Sequence, residues 1–93
     1  MNRIELEAAV AEKTGISRFH VTDVADAVFS TIAETLARGE PVRITGFATF
    51  TVKDRAERLG KNPKTGETIK IKRSRKVSLR PGKDLTETVN AGL

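Results

Sequence analysis

Apolar residues recur every three to four positions as far as Leu36 and every second position after Pro41, so the chain is expected to fold as helices followed by antiparallel strands. Val21, Val24, Ala25, Val28, Phe29, Ile32 and Leu36 fall at helical offsets, with Asp23, Asp26, Ser30 and Glu34 on the opposite face. That spacing predicts an amphipathic helix capped by Ser17 and stopped at Gly39. Upstream, Ile4, Leu6, Ala8, Ala9, Val10 and Ala11 give residues 3–14 the small-residue face of a shorter helix ending at Gly15. Thr14-Gly15-Ile16-Ser17 joins the two as a helical hairpin, and Pro41, with no N–H to donate, forbids continuation.

Beyond Pro41, Val42 and Ile44 alternate with Arg43 and Thr45, and Phe50 and Val52 alternate with Thr49, Thr51 and Lys53, around a turn at Gly46-Phe47. Ile69, Ile71, Val77 and Leu79 hold odd positions against Lys70, Lys72, Ser74, Lys76, Ser78 and Arg80 on even ones, which predicts a third strand paired back on the second. Pro81-Gly82 closes it, and Leu85 and Val89 predict a short helix over Lys83 to Asn90. The fold class is therefore α+β, a single domain over 1–93, with a helical hairpin over 1–40, a three-stranded antiparallel sheet over 41–82 and a terminal helix over 83–93. A chain of 93 residues builds only a small core, for which oligomerisation is the available remedy.

Residues 53–72 contain Leu59, Ile69 and Ile71 as their only large apolar side chains. A hairpin so poor in apolar surface cannot hold a core and must project, giving a β-ribbon arm over about 53–76. About ten residues per strand at roughly 3.3 Å each would make it near 30 Å long. Asn62-Pro63-Lys64-Thr65-Gly66 reads as the tip: Pro63 fixes φ and Gly66 permits a left-handed residue. Such an arm is expected to be mobile when nothing is bound.

Charge divides along the same line. Residues 1–42 carry four basic and seven acidic side chains, a net of −3, while residues 43–93 carry thirteen and five, a net of +8. From Lys53 to Lys83 twelve cations face only Asp54, Glu57 and Glu67, so a polyanion is the expected partner. No aromatic residue is interleaved, which argues against base-stacking single-strand platforms and leaves phosphate contact to a duplex as the source of affinity. With no Cys and one His, neither metal nor redox chemistry is expected, no cofactor or small-molecule substrate is called for, and no catalytic constellation suggests an enzyme. No apolar run reaches membrane-spanning length, and Met1-Asn2-Arg3-Ile4-Glu5 lacks the pattern of a secretory leader, so a cytoplasmic location is expected. Pro63 has two readings from the residues alone: a turn proline, or an apolar wedge that could unstack base pairs from the minor groove.

Glu12-Lys13-Thr14-Gly15-Ile16-Ser17, Asp26-Ala27-Val28-Phe29, Gly46-Phe47 with Phe50, Arg55-Ala56 to Arg58, the tip Gly60-Lys61-Asn62-Pro63-Lys64-Thr65-Gly66-Glu67 and Arg80-Pro81-Gly82-Lys83 together resemble the HU and integration-host-factor group of bacterial nucleoid proteins, the type II DNA-binding proteins. The resemblance runs end to end. It implies an intertwined homodimer whose two arms embrace the minor groove of double-stranded DNA, with Pro63 intercalating and bending the duplex, in the bacterial nucleoid. The DNA-contacting set so implied is Arg3, Gly46, Lys53, Arg55, Arg58, Lys61, Asn62, Lys64, Lys70, Lys72, Arg73, Arg75, Lys76, Arg80 and Lys83. The dimer core would comprise Phe29, Ile32, Leu36, Ile44, Phe47, Phe50, Val52, Val77 and Leu79.

The chain departs from that group's pattern at Ala48, often glycine there, and at Leu79, often Phe. It also departs at Ile71-Lys72-Arg73-Ser74-Arg75-Lys76, where a neutral proline-containing stretch is usual; the added cations predict tighter, more salt-dependent binding. Phe19 and His20 replace polar residues, and His20 is expected at a helix N-terminus or on the surface without a catalytic role. Arg3 and Asp26 could pair across the hairpin, and Glu57 and Glu67 are expected to pair with nearby arm cations. The alternatives are a sequence-preferring subunit of an integration-host-factor-like heterodimer and a structural RNA-binding protein.

Overall fold

The computed structural model describes residues 1–93. Two helices, α1 (Arg3–Thr14) and α2 (Arg18–Ala37), precede strands β1 (Val42–Ile44), β2 (Ala48–Arg55), β3 (Arg58–Lys61), β4 (Thr68–Ile71) and β5 (Ser74–Pro81), and α3 (Lys83–Asn90) follows. Asn2 caps α1 by accepting the Glu5 N–H at 2.9 Å, and Gly15, at φ 74°, ends it in a left-handed residue whose N–H reaches the Ala11 carbonyl. Ser17 accepts the His20 N–H at 3.3 Å, as its expected capping role requires. The chain divides into two compact units, Met1–Glu34 and Thr35–Leu93.

In the first unit α1 lies against α2 with little sealed from solvent. Val21 and Glu7 are the buried residues, while Val24, Val28 and Phe29 are exposed. Leu6, Val10, Ile16, Val21, Val28 and Phe29 are among the residues lining an apolar groove of about 310 Å³.

In the second unit β1, β2 and β5 form an antiparallel sheet in the order β1-β2-β5, and β3 pairs with β4 separately. The register sets Val42 opposite Phe50, Phe50 opposite Leu79, and Val52 opposite Val77. Side chains directly opposed in an antiparallel pair share a face, so Val42, Ile44, Ala48, Phe50, Val52, Val77 and Leu79 form one apolar face. Of these only Ala48 is buried; Ile44, Val77 and Leu79 are exposed. Helix α3 starts on the β1–β2 turn: the Gly82 N–H donates to the Phe47 carbonyl at 2.7 Å and the Leu85 N–H to that of Gly46 at 3.1 Å.

The arm differs from the continuous hairpin expected from sequence. Pairing stops after Arg55↔Ser74 and resumes at Arg58↔Ile71, leaving Ala56-Glu57 and Lys72-Arg73 unpaired. The odd–even alternation crosses this gap without a slip, which is why the sequence reads as one strand. No apolar side chain larger than Ala56 stands at these two levels, so packing adds little to hold the ladder there.

Candidate nucleic-acid interface

The face of the sheet opposite the apolar one collects the other parity of each strand. Arg43 lies opposite Thr49 and Thr49 opposite Arg80; Thr51 faces Ser78, Lys53 faces Lys76 and Arg55 faces Ser74. Cations and short hydroxyl side chains thus alternate, and Arg43, Thr49, Thr51, Lys53, Ser78 and Arg80 line a shallow hollow. None of Arg43, Lys53, Arg55, Lys76 and Arg80 forms an ion pair. Five unneutralised charges beside small hydroxyls make a surface that a polyanion can approach closely. Sequence pattern alone does not single out Arg43; its signal lies in the register, which brings it level with Arg80 across Thr49.

On the β3–β4 ribbon, Leu59, Lys61, Thr68 and Lys70 share one side and Arg58, Gly60, Ile69 and Ile71 the other. Ile71 lies over Gly60, where an added Cβ would sit 2.8 Å from its Cδ1. Arg58, Lys61 and Lys64 form no ion pair, while Lys70 Nζ meets the Glu57 carboxylate at 2.8 Å, one of the two pairings expected for the arm carboxylates. Glu67 forms no ion pair; its backbone instead closes the loop, accepting the Asn62 N–H at 2.8 Å and donating to Thr65 Oγ1 at 3.3 Å. Asn62 Oδ1 accepts the Lys64 N–H at 2.9 Å across Pro63, and the Asn62 carbonyl accepts the Gly66 N–H at 2.8 Å, with Gly66 at φ 73°. Pro63 is therefore exposed at the apex of a loop closed by backbone bonds. Half of the Asn62 amide is engaged in shaping that loop.

Other residues of the expected set have carboxylate partners or lie off the cationic face. Arg75 lies on the apolar side of the sheet, level with Asp54; its Nε donates to Asp54 Oδ1 at 2.9 Å and its Nη1 to the Ala37 carbonyl. Arg73 stands 3.9 Å from the same carboxylate and Lys83 is 3.8 Å from Glu87, while Lys72 is exposed in the gap. The run from Lys72 to Lys76 thus adds less free charge to the cationic face than its composition suggests. Gly46, at φ 80°, contributes backbone, its added Cβ meeting Asp84.

Arg3 Nε donates to the buried Glu7 at 2.9 Å, its Nη2 pairs with Asp26 as expected, and its guanidinium lies 5.0 Å from the Phe29 ring centroid. The hydrogen bond to Asp26, aided by the fields of Asp26 and Glu7 and opposed by desolvation, raises the pKa of Arg3 above its ordinary value. The sequence does not single out Glu7, because an acid on a short amphipathic helix reads as solvated until a partner is seen.

Among the residues expected to build a dimer core, Leu36 is buried and Ile32, Phe50 and Val52 are half-buried. Phe29, Ile44, Phe47, Val77 and Leu79 remain exposed. His20 is exposed, 3.0 Å from Ser17 Oγ and edge-on to Phe19 at 5.7 Å. No group of three or more His, Cys, Asp or Glu side chains gathers to hold a metal, and no helix is long and apolar enough to cross a membrane.

Residues 1–90 match the model of a family described as bacterial DNA-binding protein. The chain is 45% identical over 89 residues to DNA-binding protein HU of Geobacillus stearothermophilus, covering 96% of this chain and 99% of that one. It is 40% identical over 93 residues to the integration host factor subunit alpha of Anaeromyxobacter dehalogenans, covering 100% of this chain and 82% of the other. Among solved structures it is similar to Anabaena HU in a cocrystal with DNA, at a TM-score of 0.81 and 37% identity, covering 96% of this chain and 97% of that one.

Proposed function

Because the chain belongs to the bacterial DNA-binding protein family, we propose that it is an architectural, non-enzymatic protein of the bacterial nucleoid that binds and bends double-stranded DNA with little regard for sequence. The observation that carries this reading is the pairing of a cationic sheet face with Pro63 held exposed at the end of a cationic ribbon. Phosphates are neutralised by Arg43, Lys53, Arg55, Lys76 and Arg80 on the sheet and by Arg58, Lys61 and Lys64 on the ribbon. Each phosphate neutralised steepens the dependence of log K on log salt by about −0.9. The Pro63 ring, apolar and without an N–H, enters between base pairs and relieves stacking. Bending a site costs of order 1–6 kcal/mol, so duplexes already nicked, mismatched or flexible are preferred.

All four Phe side chains lie elsewhere, in α2, on the apolar sheet face or at the β1–β2 turn. The cationic face therefore offers no platform for stacking single-stranded bases. The exposed Phe29, Phe47, Val77 and Leu79 support a homodimer, in which a second copy covers them.

A bending assay tests the reading: donor and acceptor dyes at the ends of a short duplex, intact or centrally nicked, titrated with wild type and Pro63→Ala over a salt series. Wild type is expected to draw the ends together, more readily on the nicked duplex. Pro63→Ala is expected to bind with the same salt dependence but bend less. Binding with no change in end-to-end distance would refute the architectural role.

A further inference from the structure

Arg75 occupies a position where composition alone suggests a phosphate-binding cation, yet it completes an account of backbone hydrogen bonds. At the end of α2 the Thr35 carbonyl accepts the Arg38 and Glu40 N–H groups at 3.2 Å each, and the Leu36 carbonyl accepts that of Gly39 at 2.9 Å. The Ala37 carbonyl is taken by the Arg75 guanidinium. Helix α2 has no basic residue in its own last turn, so β5 supplies the cation that the negative end of the helix dipole favours. Asp54, opposite Arg75 in the register, fixes the other edge of the guanidinium through Nε at 2.9 Å.

The site of this tie matters. β1 pairs with β2 only as far as Phe50, so Thr51–Arg55 and Ser74–Ser78 form a two-stranded ribbon, and two residues past Asp54 the ladder lapses. A two-stranded ribbon is weakly restrained by itself; Arg75 joins it to a helix end just before the gap.

Resting on the bending reading above, we propose that Arg75, held by Asp54, is a positioning residue: it fixes the root of the arm against the last turn of α2 and so sets how far bound DNA is bent, not how many phosphates are held. The test measures salt slope and dye-to-dye distance distribution together on the nicked duplex. Arg75→Gln and Asp54→Asn are expected to keep the wild-type slope while lowering and broadening the bend. Lys76→Gln, on the cationic face, should reduce the magnitude of the slope by about 0.9 for each phosphate that is no longer neutralised. Arg75→Lys keeps the charge but cannot fork between two acceptors; its expected result is a wild-type slope with a reduced bend, and it guards against loss of fold in the other variants. A lower slope with an unchanged bend in Arg75→Gln would make Arg75 a phosphate-binding residue and overturn the proposal. So would tighter binding with an unchanged bend in Asp54→Asn, or an unchanged bend in Arg75→Lys. Wild type is read first: if it leaves the DNA ends no closer, the bending reading itself fails, an outcome separate from failure of the variants.

Discussion

Arg43 and Arg80 flank Thr49 from the two neighbouring strands, one residue level across the whole width of the sheet. Neither has a carboxylate partner, and the short Thr49 side chain between them leaves room for a phosphate. Arg43→Ala is therefore expected to weaken binding to all duplex sequences alike and to reduce the salt slope by about 0.9 for each phosphate left without its cation. Filter-binding titrations at several salt concentrations on two unrelated duplexes check this; a loss confined to one sequence would assign Arg43 to base readout instead.

Gly82 and Gly66 separate close packing from backbone conformation. A Cβ on Gly82 would lie 2.7 Å from the Gly46 carbonyl carbon and 3.0 Å from the Phe47 nitrogen, both backbone atoms. Gly82 has an ordinary φ of −78°, so the cost of Gly82→Ala comes from overpacking, about 1–3 kcal/mol. Gly66 has φ 73° and nothing within 4 Å of an added Cβ. Gly66→Ala costs roughly 1–2 kcal/mol of local strain, but at the loop that carries Pro63. Urea denaturation should show a lower midpoint for Gly82→Ala and a smaller shift for Gly66→Ala, because the tip loop can open locally and release its strain before the sheet unfolds, while bending falls in Gly66→Ala. Equal midpoints for Gly82→Ala and wild type would count against the packing of α3 on the turn.

In the proposed homodimer, burial of the exposed apolar residues by a second copy would make stability depend on concentration. The protein is expected to sediment at twice its 10.2 kDa chain mass and to melt at higher temperature as concentration rises. Val77→Asp, which puts a charge on the apolar sheet face, should abolish cooperative melting at micromolar concentration, since an unpaired buried carboxylate costs several kcal/mol. A species at the mass of one chain with concentration-independent melting would rule out the dimer.

Helix and strand positions are legible in this sequence because the apolar period switches cleanly at Pro41, and Gly15 and Gly39 stop helices where left-handed residues are needed, at φ 74° and 81°. Alternation also assigns a parity to every residue of β2 and β5. It cannot say which cations are neutralised, because that depends on cross-strand neighbours. Asp54 and Arg75 are 21 residues apart in the chain and meet only through the register. The gap at Ala56-Glu57 is invisible to alternation for the same reason, since parity is preserved across it. Glu7 reads as a solvated acid until α2 brings Asp26 and Phe29 up to its partner Arg3.

That partnership gives a prediction about pH. The Arg3 pKa is raised in the folded protein, mainly by its hydrogen bond to Asp26. A raised folded value means that the stabilisation is fully present below the unfolded value and is lost as pH climbs through the folded one. Both lie far into the alkaline range for arginine, so the stabilisation from Arg3 is constant between pH 6 and 9. Arg3→Met should lower the melting temperature by the same amount at both ends of that range. It should also lower it more than Asp26→Asn does, because Asp26 is largely solvated whereas the Glu7 side chain, only 9% exposed, is left without its cation. A melting difference that grows or shrinks across this range would show that the stabilisation does not come from the charged guanidinium. Equal effects of the two substitutions would show that Asp26, and not the buried Glu7, is the partner that matters for folding.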